Sequence, residues 1–288
     1  MMRFPPPART LLLGMTLFFA LPLSGIAGEA DEIVRRSLAV NGGQDLLSRI
    51  EFTLEDASGA RKAIRLIMAF KHYPRGGDID EKVIMFQELP PDRRNVSFLG
   101  WLYDPASGRK DDMWLYLPQL RTVRKLSHDH THHADGRKGE DVFDLSGLQR
   151  FELEPRPVEL DTHKLLGRES VEGQAAYRIL STPRDPATSP YAGILRWIDD
   201  KHYLPLQLEY LDATGRPVKR QTIHWQQIGD AWLWREVEAV DLRSGRRTLL
   251  RQYDIKVDLG LSDKLFTKRL MRRGPSTLEA MLAQDSPH

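Results

Sequence analysis

Four of the nine histidines in this 288-residue chain fall within six positions, in H-D-H-T-H-H from His128 to His133. On an extended strand His128, His130 and His132 would face one side, because successive side chains alternate. Three imidazoles on one side could converge on a zinc ion at about 2.0–2.1 Å from each nitrogen, with Asp129 or Asp135 adding an oxygen. The same tract could take up Cu²⁺ or Ni²⁺ adventitiously. It could change charge near pH 6.5, or be a polar loop and nothing more. Zinc is thus the one cofactor the sequence offers. The carboxylate pairs Asp111-Asp112 and Asp199-Asp200 stand at strand ends, where solvated turn residues are the usual reading. No G-x-S-x-G, no H-E-x-x-H, no phosphate-cradling glycine loop and no cysteine occurs, so no linear motif supplies a nucleophile or a phosphate site. The expectation is a protein that is not an enzyme.

The surrounding sequence predicts what positions these residues. In I-R-L-I-M-A-F, period two puts Leu66, Met68 and Phe70 on one face. In M-W-L-Y-L-P it separates Trp114 and Tyr116 from Met113, Leu115 and Leu117. L-P-L-Q-L-E-Y aligns Leu206, Leu208 and Tyr210, and L-R-Q-Y-D-I-K-V aligns Leu249, Tyr253, Ile255 and Val257. Such alternation marks half-buried strands. Four turns share a formula of Asp, then Ser or Thr, then Gly, then a basic residue, beginning at Asp56, Asp104, Asp212 and Asp241. The carboxylate accepts turn N–H groups and the glycine supplies positive φ, as short hairpins require. The expected architecture is mainly β, one large antiparallel sheet curled over something. A helix is expected from an Asp31 N-cap, with Ile33, Val34 and Leu38 on its apolar face and Gly42-Gly43 after its end. Another is expected from Thr277. Residues 127–160 break the strand pattern, and long irregular segments in sheet proteins are commonly functional or mobile.

The first 27 residues read as a secretory signal. Arg3 and Arg9 are the only charges before Glu29. An apolar run to Leu23 and the small residues S-G-I-A-G follow, with cleavage expected after Ala27. The run is shorter than the roughly 20 residues a spanning helix needs. Without Arg3 and Arg9 the 42 basic residues become 40, equal to the 40 acidic ones, and a neutral chain gives no support to nucleic-acid binding. Residues 28–288 are then one exported domain, folded without disulfides.

At W-L-Y-L-P and the following V-R-K, residues 114–125, the chain resembles the LolA-like family of periplasmic proteins, the outer membrane lipoprotein-sorting proteins. W-I-D-D-K-H-Y-L-P-L-Q-L-E-Y, D-A-T-G-R-P-V-K-R-Q-T-I and the closing L-F-T-K-R-L are similar in the same order. So are the opening E-I-V-R-R-S-L and E-D-A-S-G-A-R-K. The resemblance implies an unclosed antiparallel β-barrel with a few helices lidding an apolar cavity. It implies a monomeric periplasmic carrier of a lipid or of lipoprotein acyl chains, with an inner-membrane lipid-exporting transporter as a partner. Together with the alternation it points to Leu66, Met68, Phe70, Trp101, Trp114, Tyr116, Leu206, Leu208 and Tyr210 as the cavity face. The histidines depart from the family, which has other residues at that position. They leave a second reading, a metal-binding or envelope-sensing protein built on His128–His133.

Overall fold

In the computed structural model, residues 24–74, 77–104, 107–126, 148, 152 and 156–284 are described. Residues 1–23 of the expected signal (1–27) and the candidate metal ligands His128, His130 and His132 lie outside them.

Among the described residues thirteen strands form one sheet. The first six are β1 (Asp45–Glu55), β2 (Arg61–His72), β3 (Ile79–Leu89), β4 (Ser97–Tyr103), β5 (Asp112–Leu117) and β6 (Thr122–Lys125). Then come β7 (Asp161–Val171), β8 (Gln174–Pro183), β9 (Gly193–Asp199), β10 (Pro205–Leu211), β11 (Pro217–Ile228), β12 (Ala231–Asp241) and β13 (Arg247–Val257). Their order across the sheet is β6-β5-β4-β3-β2-β1-β13-β12-β11-β10-β9-β8-β7. Two antiparallel meanders are therefore joined where β1 pairs with β13. β6 and β7 are consecutive in sequence yet lie at opposite edges, so the sheet is mainly β, antiparallel and not closed into a barrel.

The four Asp-Gly turns stand between strands that pair. Asp56 Oδ1 accepts from the Ser58 and Ala60 amides at 2.8 and 3.1 Å, between β1 and β2. Asp212 Oδ1 does the same for Thr214 and Arg216 at 2.8 and 3.1 Å, between β10 and β11. Gly59 and Gly215, at φ of 85° and 78°, occupy the left-handed positions that an L side chain resists.

The two faces are buried differently. One face of β1–β5 is covered by the C-terminal segment, which carries α2 (Lys268–Arg273) and α3 (Ser276–Ala283). Leu47, Ile67, Ile84, Phe86, Leu99 and Trp114 pack there with Leu261, Phe266, Met271 and Leu278. Each large side chain so buried contributes on the order of 1.5–3 kcal/mol. We call this the outer face. Strands buried on both faces read as continuous apolar runs, which is why I-R-L-I-M-A-F only partly alternates.

The opposite, inner face carries Leu66, Met68, Met85, Phe98, Leu115 and Leu250 in one cluster with Leu148. Cross-strand partners trace it: Met68 faces Met85, and Phe98 faces both Met85 and Leu115. At the β7–β9 end it meets α1 (Ser24–Leu38), whose Ala30, Ile33 and Val34 pack on Ile179 and Ile198. The helix begins at Ser24, ahead of the expected cap, so Asp31 is a helix-interior residue. Leu38, expected on the apolar face, is exposed as the last residue of the helix. No helix among the described residues is long and apolar enough to cross a membrane.

Candidate functional site

The nine residues expected to share a cavity face divide between two. Leu66 and Met68 are buried on the inner face, with Phe70 packed against them. Trp101, Trp114 and Tyr116 belong to the outer cluster beneath the C-terminal helices. Their placement corrects the expected phase of β4 and β5: Met113 and Leu115 point inward instead. The reason is polar. The Trp101 indole N–H donates to the Phe266 carbonyl at 3.1 Å, and Lys268 lies 4.3 Å from the Trp114 ring centre. Indoles settle where their polar edge finds a partner, whereas the thioether and isobutyl side chains at 113 and 115 need none.

Strand β10 is also divided. Leu208 and Tyr210 cluster with Ile194, and Ile223 packs against both this cluster and the inner core. Leu206 packs with Leu195, Trp197 and Leu211 on the other face. An irregularity in the pairing with β9 falls between Pro205 and Gln207. Such a bulge inserts an extra residue and flips the phase, and period two cannot foresee it.

The inner face thus has two parts. Across β1–β5 and β11–β13 it is apolar, and it is covered: Leu66, Phe52 and Leu250 are 2–3% exposed. Three methionines, Met68, Met85 and Met113, stand in it. Among the described residues, Leu148 packs against this wall.

Across β7–β11 the inner face is polar. Leu208 pairs with Arg196 and Gln221, and Tyr210 with Ile194 and Lys219. Arg196 pairs with Ile179, and Ile194 with Ser181, which in turn faces His163. These registers bring together a buried network. Lys219 Nζ lies 2.6 and 2.7 Å from the Glu152 carboxylate oxygens, and the Tyr191 hydroxyl donates to the same carboxylate. Burial, then the adjacent Glu152 charge, pushes the Tyr191 phenol well above its ordinary range. Arg156 pairs with Asp161 at 2.8 Å, both nearly inaccessible. His163 Nδ1 meets Ser181 Oγ at 2.9 Å and its Nε2 meets the Val158 carbonyl at 3.1 Å. Burial lowers the His163 pKa below 6.5. Arg196 Nε donates to Ser181 Oγ at 2.9 Å.

Sequence reasoning passed over this network. One signal was available: Arg196 is the lone charge inside the apolar strand G-I-L-R-W-I. Among the described residues no group of three or more His, Asp or Glu side chains could hold a metal. A separate recess of about 280 Å³ lies between β7–β8 and β10–β12, lined in part by His202, His224, Trp225 and Trp232. There His224 Nδ1 stands 3.7 Å from Glu172.

An open antiparallel sheet with helices at its inner and outer faces and a largely apolar inner wall defines the class, the LolA-like half-barrels. A family model described as that of an uncharacterized protein matches residues 79–273, more than half of the chain. The chain belongs to that family. No curated protein matches the sequence. The fold is similar to a domain described as an outer membrane lipoprotein-sorting protein from Vibrio parahaemolyticus. That domain is 24% identical over 86% of this chain and 100% of its own, with a TM-score of 0.68. A DUF1329 family protein from Desulfovibrio piger is 23% identical over 85% and 98%, with a TM-score of 0.70. A LolA superfamily protein from Nitrosomonas europaea is 19% identical over 84% and 98%, with a TM-score of 0.55.

Proposed function

We propose that this protein is a periplasmic carrier. It holds the acyl chains of a lipid or lipoprotein against its inner face and moves them between membranes without covalent chemistry. It acts as a monomer, with an inner-membrane lipid-exporting transporter as a partner. One observation carries the reading: an apolar inner wall from β5 through Met68 to Leu250, joined to Leu208 by Ile223, in an open LolA-like sheet. Removing an acyl chain from water gains about 0.8 kcal/mol per CH₂. The same wall now packs against Leu148, so affinity is the difference between acyl and protein contacts. Methionines suit that exchange, because an unbranched thioether repacks around ligands of varying shape. A relative described as a lipoprotein-sorting domain supports the class of cargo.

The test is native mass spectrometry of tag-free protein purified from the periplasm. A lipid adduct that organic extraction removes is expected. Met68→Gln, nearly isosteric and on the inner face, should lower its occupancy severalfold. Trp114→Phe, on the outer face, should leave it unchanged. An adduct indifferent to Met68→Gln in folded protein would sink the inner-face assignment.

A further inference from the structure

Arg196 is the odd member of the buried network. It lies deep in the protein, yet part of its surface stays accessible. Its Nε is fixed by Ser181 Oγ at 2.9 Å, and Ser181 is itself held by His163. Neither Nη group has a hydrogen-bond partner, and Arg196 has no ion pair, among the described residues. The nearby carboxylates are taken: Asp161 pairs with Arg156 and Glu152 with Lys219. His163, its pKa lowered by burial, is neutral at pH 7. Among the described residues, Arg196 is a positive charge with no opposite partner. Tyr210, 2% exposed and in electrostatic contact with Arg196, carries a hydroxyl that also lacks a hydrogen-bond partner among the described residues. Burying an uncompensated guanidinium is costly, and two idle donors in one place compound the cost. An anion removes it.

We propose that Arg196 and Tyr210 bind the oxyanion of an amphiphile, the carboxylate or phosphate of a lipid headgroup, while its acyl chain lies along the apolar inner face. The proposal rests on the carrier reading and adds to it the class of headgroup. The geometry suits such a ligand. Leu208 is the cross-strand neighbour of Arg196, and Ile223 links that cluster to the apolar core. A head at Arg196 thus leads its tail directly onto the methionine-rich wall. The planar guanidinium fork is made for two oxygens at once.

The experiment measures binding of oleate, dioleoyl phosphatidylglycerol, monoolein and inorganic phosphate to the full-length mature protein and to Arg196→Gln, Arg196→Lys and Tyr210→Phe. Thermal melts serve as the folding control. Wild type should bind both anionic amphiphiles at least tenfold more tightly than neutral monoolein, the size of one charge-assisted contact. Arg196→Gln should abolish that preference and leave monoolein affinity unchanged. Arg196→Lys should keep part of the preference, and Tyr210→Phe should lose severalfold. These two variants carry the test if Arg196→Gln does not fold. Equal binding of oleate by wild type and the folded Arg196 variants would overturn the headgroup site and leave the carrier reading intact. Failure of wild type to bind any amphiphile would overturn both. Inorganic phosphate binding that depends on Arg196 without any amphiphile preference would overturn the lipid source and assign the site to a free oxyanion.

Discussion

His163 shows how burial sets chemistry at the residue scale. Its ring is closed in between Ser181 Oγ and the Val158 carbonyl, and desolvation lowers its pKa from 6.5. In the unfolded chain it titrates at its ordinary value, so below about pH 6.5 the unfolded state binds the proton that the folded state resists. Its contribution is fully present above pH 6.5 and is lost as pH falls from there toward the depressed folded value. The prediction is a melting temperature that declines from pH 7 to pH 5, with a shallower decline in His163→Gln. The check is a thermal denaturation series at constant ionic strength; identical slopes in the two proteins would mean that His163 does not drive the decline. The same network explains why sequence reading stopped short of the site. Glu152, Lys219 and the Tyr191–Arg196 pair come from three separate stretches of the chain and carry ordinary residue types. What makes them a site is register across β9, β10 and β11 together with the segments that carry Glu152 and Tyr191, which no local pattern encodes.

At the scale of elements, the strands and hairpins were legible because their causes are local. The Asp carboxylates at 56 and 212 cap their turns from within a few residues, and period two marks the strands between them. Phase was not legible, because it depends on what covers each face. The residues from Leu261 to Leu278 lie far from β4 and β5 in sequence, yet they bury Trp101 and Trp114 and so decide that Met113 and Leu115 face inward. Several contacts hold this C-terminal segment. Asp45 accepts from the Leu259 and Leu261 amides at 2.7 Å, and Thr267 caps α2. Asp263 gathers Tyr73, Lys71 and Lys82, and with these donors its carboxyl is lowered to about 2. Phe266 is the apolar anchor, with no accessible surface. Phe266→Ala should cost about 3–5 kcal/mol of unfolding free energy, the range for emptying a buried aromatic site. It should also shift tryptophan emission to the red as Trp101 and Trp114 lose their cover. Denaturant titration followed by fluorescence reads both; unchanged midpoint and spectrum would show that the segment is held by its polar contacts alone.

For the whole molecule, the order of strands sets how stability is distributed. The first and last strands, β1 and β13, lie side by side in the middle of the sheet, so the most central pairing joins the two most distant parts of the chain. Such non-local pairing slows folding but places its most protected hydrogen bonds where both neighbours are strands. The edges have the opposite character. β6 has four residues, three of them exposed, and among the described residues only β5 to bond to. Hydrogen exchange should therefore rank the strands by position in the sheet, not by position in the chain. β1, β13 and β2 should exchange only through global unfolding, and β6 through local opening at rates orders of magnitude faster. Lipid binding on the inner face would add protection to β9 and β10 around Arg196 and Tyr210, and to β2 and β3 around Met68. It would leave Trp101 and Trp114 on the outer face unaffected in their solvent exposure. Exchange measured with and without oleate tests both statements at once. Protection confined to the surface strands β6 and β7 would place the ligand at the edges of the sheet and overturn an inner-face site. Protection spreading from β9 to β3 would mean that one ligand spans both the polar and the apolar halves of that face, as a headgroup and its tail must.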